Sequence, residues 1–255
     1  MSQYPDQLSL NVKLDDSISL DKFINCESNR NSIDFIRSSI SEDSISNLFY
    51  IWGGVGVGKS YIMQAISKEF INLEKKTLHL SLDDTRLKSH EVLKNLGSLD
   101  IILLEKIDKL PKNKEWETQI FSLINEALSS KTKIYLSSNI VSKDLEIELK
   151  DLKSRLSYFT AIEVPEITDE EKIEALSQSS KRKGISIDEK TIQYIINNTS
   201  RSLSDLLKLM NDIDVYSLKN LKSRLDKYYY KKGYYPSCIV FAPPIRWRLF
   251  VIKKQ

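Results

Sequence analysis

A glycine-rich segment in the first quarter of the chain constrains the fold more than any other feature. It matches the pattern G-x-x-x-x-G-K-[ST] and consists of Gly53, Gly54, Val55, Gly56, Val57, Gly58, Lys59 and Ser60. An apolar run at 48–52 precedes it, and Ile62, Ile66 and Phe70 follow at helical spacing. This order of strand, loop and helix is the context that a phosphate-binding P-loop requires. Four of the seven glycines lie here, because a Cβ would obstruct backbone N–H groups that wrap around phosphate oxygens.

The P-loop predicts which groups would touch bound ADP or ATP and its Mg²⁺. Lys59 would reach the β- and γ-phosphates, and the hydroxyl of Ser60 would hold Mg²⁺. The N-terminus of the following helix would add its partial positive charge. The alternative is a glycine-rich turn with a chance lysine, which the agreement between motif and context disfavours.

Composition limits the class of protein. With 255 residues, 41% hydrophobic and 29% charged, the chain suits one α/β domain and a smaller attachment. Cys26 and Cys238 lie far apart without a C-x-x-C pattern or a secretory leader, so we expect a cytoplasmic protein. No apolar run approaches the ~20 residues that span a bilayer. Residues 216–255 contain ten Lys or Arg and one Asp. Because the positive charge is concentrated there, the rest of the chain lacks the excess of basic residues that is typical of nucleic-acid binding.

Hydrophobic patterns predict alternating strands and helices. After the P-loop helix we expect strands at 77–82, 99–104, 133–138 and 160–164. His79 falls on the polar phase of the first of these, which predicts a solvent-facing side chain. The helix after the 99–104 strand should bury one stripe, composed of Trp116, Ile120, Ile124 and Leu128. The predicted architecture is a five-stranded, mainly parallel sheet with helices on both faces, followed beyond Pro165 by three helices.

The order of motifs resembles the AAA+ ATPases and, within them, the DnaA group. The resemblance is carried by the P-loop, Asn139 after a strand, the box Asp151-Leu-Lys-Ser-Arg-Leu156 and Arg201 before a helix. The chain is most similar to the Hda-type DnaA paralogues, which switch the initiator off. The resemblance covers roughly 7–215 and implies three regions: a clamp-binding peptide at 1–16, an AAA+ nucleotide-binding domain at 17–165 and an all-helical lid domain at 166–218. The basic, aromatic tail at 219–255 has no counterpart in the family. It is either a segment that binds nucleic acid, or a poorly ordered extension or the product of an altered reading frame.

The resemblance also implies roles for single residues. Arg155 would be an arginine finger that acts on the nucleotide of a neighbouring AAA+ subunit, with a surface bridge to Asp151 as the alternative. Arg201 would sense bound phosphate, or would be a solvated residue at a helix start. Asn139 would be the polar sensor between strand ends, or a simple turn residue.

An N-terminal peptide completes the resemblance. Hda-type chains begin with a Gln-Leu-Ser-Leu peptide that binds the DNA sliding clamp, and here Gln7, Leu8 and Leu10 occupy that place. A glutamine amide and two leucines are suited to a polar contact and an apolar pocket on a partner.

The acidic strand end departs from the family pattern. The family has an Asp near Mg²⁺ followed by an acid or amide that orients water, whereas this chain has Glu105 and Lys106. Glu105 is one methylene longer and could reach a metal-bound water. A protonated Lys106 cannot act as a base, so we expect feeble or absent intrinsic ATP hydrolysis.

The function that the resemblance implies is regulation of chromosomal replication initiation, by promoting hydrolysis of the ATP bound to DnaA. The partners would be the clamp (the beta subunit), the DnaA initiator and, through the clamp, DNA; the oligomeric state stays open, with a homo-oligomer as one option. One alternative is a helicase-loader or transposition-helper AAA+ ATPase. A second is a DNA-binding adaptor with a vestigial P-loop, in which the tail at 219–255 stacks on bases and binds phosphates.

Overall fold

The computed structural model describes two compact units. The described residues are 18–219, apart from 42–43, 45, 86, 88, 95, 97, 183–186, 188 and 200–201; of 182 and 213–219 only the backbone is described. The sheet unit comprises 18–23, Ile33–Trp52 and Lys59–Ile162. The lid unit comprises Ile24–Ser32, Gly53–Gly58 and 163–219. The glycine loop is thus part of the lid unit, whereas the helix that follows it belongs to the sheet unit.

Five strands form one sheet in the order β2-β3-β4-β1-β5. The pairings of β2 with β3, β3 with β4 and β4 with β1 are all parallel, which confirms the predicted five-stranded, mainly parallel sheet. Parallel pairing places the carboxyl ends of these four strands at one edge, where ligands bind in open α/β sheets. The strands are β1 (Leu48–Trp52), β2 (Thr77–Ser81), β3 (Ile101–Glu105), β4 (Lys133–Ser138) and β5 (Thr160–Glu163).

Helices cover both faces of this sheet, as predicted. The bounds are α1 (Arg30–Ile40), α2 (Lys59–Asn72), α3 (Lys114–Ser129) and α4 (Lys150–Leu156). Alternate strand residues, such as Tyr50 and Leu104, join one apolar core with α3 and α4. The intervening residues face α2, which packs on β2, β3 and β4. On that second face the ring of Tyr135, fully buried, stacks on Phe49 with 4.9 Å between ring centroids.

The stripe predicted for α3 is correct for three of its four residues. Trp116, Ile120 and Ile124 are buried, but Leu128 is 48% exposed, and Leu123 and Ala127 are buried instead. Each step of four residues advances about 40° beyond a full turn at 3.6 residues per turn. By the third step the accumulated drift, about 120°, has turned Leu128 away from the sheet.

Three helices build the lid unit, as predicted. They are α5 (Asp169–Arg182), α6 (Glu189–Asn198) and α7 (Leu203–Lys219). α5 starts with a capping box, in which the hydroxyl of Thr168 accepts from the backbone N–H of Glu171 (3.2 Å) and the Glu171 carboxylate accepts from the N–H of Thr168 (2.8 Å). The apolar faces of the helices meet in one core, which contains Leu176, Ile192, Ile195, Ile196, Leu206 and Met210.

A buried carboxylate fixes the start of α4. Glu117 on α3 is 3% exposed, and its two oxygens accept hydrogen bonds from the backbone N–H groups of Glu148 (3.1 Å) and Leu149 (2.7 Å). These groups precede the first turn of α4, where backbone donors have no partner within the helix. Glu117 therefore positions the helix that carries Arg155.

We predict that Glu117→Gln lowers the free energy of unfolding by about 1 to 3 kcal/mol, because the amide replaces one charged acceptor with a donor that faces a backbone N–H. Urea denaturation of the full chain would measure the change. Glu126→Gln on the exposed face of the same helix is the matched control and should shift stability by less than about 0.5 kcal/mol. Equal stability of the two variants would contradict the role given to Glu117.

Candidate nucleotide-binding site

The glycine loop needs glycine for two separate reasons. Gly56 has a φ of +85°, in the left-handed region that side chains rarely adopt. A Cβ there would also lie 2.1 Å from the hydroxyl oxygen of Ser202. At Gly53 a Cβ would lie 2.3 Å from the backbone oxygen of Val164. All four residues belong to the lid unit, so the loop is packed against its neighbours too closely for any side chain at these two positions.

In the sheet unit, one carboxylate connects the first turn of α2 with two strands. Glu105 ends β3 and is 5% exposed. Its Oε2 accepts a hydrogen bond from the hydroxyl of Ser60 (2.5 Å), and its Oε1 lies 2.6 Å from Nε2 of His79. Ser60 and Glu105, the two residues predicted to serve Mg²⁺, are therefore in direct contact.

This donor set fits a magnesium ion. Mg²⁺ prefers oxygen ligands, keeps several waters and is bound in nucleotide sites through one or two protein groups and the phosphates. A hydroxyl beside a carboxylate supplies such groups. Among the described residues there is no cluster of three or more His, Cys, Asp or Glu that could hold a metal without a nucleotide. Both residues would act together with the phosphates, Ser60 as a ligand and Glu105 through a metal-bound water.

The prediction that His79 faces solvent is wrong. Its side chain is only 11% exposed and contacts Glu105. His79 pairs with Leu103 in the β2–β3 register, so it shares a face with Glu105, two residues further along β3. Because α2 packs over that face, the polar phase of β2 is covered by protein rather than by water. The sequence does hold a signal for this contact. It is a histidine on one predicted strand together with a glutamate at the end of the apolar run that forms the next strand.

Asp108 was missed by the sequence reasoning. It follows β3 in the short 3-10 segment Ile107–Lys109 and accepts hydrogen bonds from the backbone N–H (3.1 Å) and the side-chain amide (2.9 Å) of Asn139. The predicted sensor residue is therefore held by a carboxylate from the neighbouring strand end. An acid three residues past a buried strand would have been the available signal.

Lys59 is 8% exposed at the start of α2. Burial lowers the pKa of its ammonium group, and the negative charges of Asp108 and Glu105 oppose that shift. The two carboxylates favour the charged ammonium, which is the form that a phosphate would contact.

Lys106, which follows Glu105 in the chain, makes contacts with Ser137 and Asp83. Its backbone is left-handed, with φ of 60° and ψ of 50°, and its N–H donates to the hydroxyl of Ser137 (3.2 Å). The side-chain ammonium pairs with Asp83, and this hydrogen bond, with a second from Ser81, lowers the pKa of the Asp83 carboxyl. The positive charge of Lys106 is thus balanced by the carboxylate of Asp83.

Arg155 lies on aromatic rings rather than on an acid. Its guanidinium carbon is 6.0 Å from the ring centroid of Phe121 and 5.7 Å from that of Tyr158, which is within cation–π range. In the described part of the chain it makes no ion pair, and the alternative bridge to Asp151 is not formed. The positive charge of Arg155 is therefore held without being neutralised.

A small pocket in the lid unit borders the glycine loop. One wall carries Lys172, which is 3% exposed and pairs with Glu166 (2.7 Å) and Asp169 (3.3 Å). Burial lowers the pKa of Lys172, but the hydrogen bonds to the two acids outweigh it and leave the pKa raised. The pocket is lined by Asn29, Gly56, Val57, Ile167, Lys172 and Ser202, among others. Sequence reasoning did not single out Lys172 or Asn29.

Several predicted residues lie outside the described part of the chain. These are Arg201 of the lid and Gln7, Leu8 and Leu10 of the N-terminal peptide; the tail beyond 219 is also outside it. Their roles stay predictions. Of the helices that are described, none has the length and apolar character needed to cross a membrane.

We predict that Gly56→Ala lowers the unfolding midpoint of the protein and Gly54→Ala does not. An alanine at 56 has a disfavoured φ and displaces Ser202, at a cost of about 1 to 3 kcal/mol; at 54 the nearest atom to a Cβ is 3.8 Å away. Thermal unfolding followed by circular dichroism would measure both. Ser202→Gly in the Gly56→Ala background should recover part of the loss, and equal midpoints for the two alanine variants would contradict the close packing of Gly56 against Ser202.

Known proteins match this chain in sequence and in fold. A Haemophilus influenzae protein described as uncharacterized is 29% identical over 214 residues, which are 84% of this chain and 92% of that protein. The structure of AMPPCP-bound DnaA from Aquifex aeolicus has a TM-score of 0.69 and 20% identity, covering 86% of this chain and 71% of that one. Domain III of DnaA from Thermotoga maritima has a TM-score of 0.64 and 17% identity, covering 86% and 91%. These structures share the fold.

Two sequence models of families match consecutive parts of the chain. The model of the bacterial DnaA ATPase domain matches 14–163, which is more than half of the chain, and the model of the Hda lid domain matches 169–225. The five-stranded sheet, the glycine loop and the helical lid agree with both matches. The chain therefore belongs to the bacterial DnaA ATPase family, as an Hda-type, DnaA-related AAA+ protein.

Proposed function

We propose that this protein regulates chromosomal replication initiation by binding adenine nucleotide and the DNA sliding clamp and by promoting hydrolysis of the ATP bound to DnaA. Membership of the DnaA family and the match of 169–225 to the Hda lid support a regulator related to the initiator. The observation that carries the catalytic part is the guanidinium of Arg155, which lies on two aromatic rings and makes no ion pair with any residue that the structure describes.

The nucleotide would be held by Gly53–Ser60, with Lys59 on the phosphates. The AMPPCP-bound DnaA of the same fold supports this assignment. The nucleotide of this chain would serve mainly to hold its shape, because Lys106 occupies the position of the residue that orients water and directs its charge to Asp83. We expect intrinsic hydrolysis to be weak for this reason, and ADP to remain bound.

Arg155 would act on a phosphate outside this chain. An arginine finger supplied by a neighbouring subunit stabilises negative charge on the transferring γ-phosphoryl group and is worth about 10³ to 10⁵ in rate. A guanidinium already paired with a carboxylate would have to break that pair first. Phe121 and Tyr158 hold the group through their ring faces instead, so its N–H groups stay available to oxygen acceptors.

We predict that Arg155→Ala abolishes stimulation of DnaA-bound ATP hydrolysis, lowering the stimulated rate by about 10³-fold or to the unstimulated level. Arg155→Lys should recover little, because a lysine is a point charge without the bidentate fork. The measurement is single-turnover hydrolysis of radiolabelled ATP on DnaA in the presence of clamp-loaded DNA. Lys153→Ala, an exposed cation on the same helix, is the control and should stimulate normally; full stimulation by Arg155→Ala would refute the finger.

Tethering to the clamp would bring the regulator to replicating DNA. Gln7, Leu8 and Leu10 provide the polar and apolar contacts of a short linear peptide. We predict that Gln7→Ala/Leu8→Ala loses capture by immobilised sliding clamp, while Gln3→Ala is captured as efficiently as the unmodified protein. Surface plasmon resonance with the clamp would measure both, and equal capture of the two variants would remove the clamp from the proposal.

A further inference from the structure

We propose that His79 is a positioning residue for magnesium–nucleotide binding, which it supports by orienting Glu105 so that the hydroxyl of Ser60 keeps a fixed direction. The proposal rests on the nucleotide site proposed above and adds a residue that lies outside the glycine loop and the strand-end motif. Its basis is the contact chain from His79 through Glu105 to Ser60.

The direction of each hydrogen bond follows from the chemistry of the groups. An ionised carboxylate only accepts, so Nε2 of His79 donates to Oε1 and the hydroxyl of Ser60 donates to Oε2. The single proton of Ser60 is then directed at Glu105, and its oxygen lone pairs stay available to a cation. A hydroxyl with a fixed proton is a better organised metal ligand than one that rotates.

Because His79 and Glu105 are shielded from water, loss of one residue of the contact chain from His79 through Glu105 to Ser60 would disturb the other two. Glu105 is 5% exposed, and the side chain of His79 is 11% exposed. In the described part of the chain, His79 and Ser60 supply the two hydrogen bonds of the carboxylate. Removing His79 would leave Oε1 buried without a donor, which is costly. The carboxylate would then rotate towards other donors or admit water, and Ser60 would lose its fixed acceptor.

Because the side chain of Glu105 is longer than that of an aspartate, it needs a restraint that His79 can supply. A glutamate has one more side-chain torsion than an aspartate at the same strand end, so it samples more positions unless a neighbour restrains it. His79 lies on the adjacent strand, one diagonal step from Glu105 in the register, and its Nε2 contacts Oε1, the oxygen that Ser60 does not contact. It supplies the restraint that the longer side chain requires.

The test measures how strongly Mg²⁺ increases nucleotide affinity. Isothermal titration of the full chain with ADP, once with Mg²⁺ and once with EDTA, gives the ratio of the two dissociation constants. His79→Leu, which has similar bulk and no donor, should lower this ratio about 10-fold and leave the EDTA affinity within about twofold. His79→Gln, whose amide can donate, should keep most of the ratio. In a Glu105→Gln background, His79→Leu should have no further effect.

An unchanged ratio in His79→Leu would overturn the proposal. Equal losses with Mg²⁺ and with EDTA would also overturn it, because they would indicate a general structural role. If His79→Leu does not fold, as judged by circular dichroism, His79→Asn takes its place, since the shorter amide cannot reach Oε1. An unmodified protein that does not bind ADP would refute the proposed nucleotide site itself, whereas one that binds ADP without any effect of Mg²⁺ would refute only the role of His79.

Discussion

Parallel strand pairing is the constraint on which the rest of the sheet unit depends. Because β2, β3, β4 and β1 run in the same direction, their carboxyl ends meet at one edge. That edge brings together Glu105, Asp108 and Asn139 with the first turn of α2, although these residues are up to 79 positions away from Ser60 in the chain. An antiparallel arrangement of the same strands would put half of these groups at the opposite edge.

Burial determines how the charged groups at this edge behave. Glu105 and Lys59 have almost no access to water, so each is stable only with partners of suitable charge or hydrogen-bonding capacity. Glu105 has Ser60 and His79, and Lys59 has the field of Asp108 and Glu105. Lys106, with a left-handed backbone, pairs with Asp83 instead. In the proposed function, this arrangement would retain a nucleotide rather than turn it over rapidly.

The charge of Arg155 is supported by aromatic rings rather than by an acidic partner in the described part of the chain. Its helix is anchored by the buried carboxylate of Glu117, and its guanidinium rests on Phe121 and Tyr158. Aromatic faces orient a cation without neutralising it, since they attract through a quadrupole rather than a full charge. In the proposed function this support would leave the guanidinium ready for a phosphate on DnaA, since among the described residues it has no ion pair to break.

The sequence by itself determined the fold class, the strand order along the chain and the position of the P-loop, because these depend on local hydrophobic periodicity and on glycines that a phosphate loop requires. It could also mark Glu105, Lys106, Asn139 and Arg155 as residues of interest. Only the tertiary structure decided their partners. His79 was expected in water and lies against Glu105, and Asp108 holds Asn139, since strand register and helix packing bring together residues that no spacing along the chain relates.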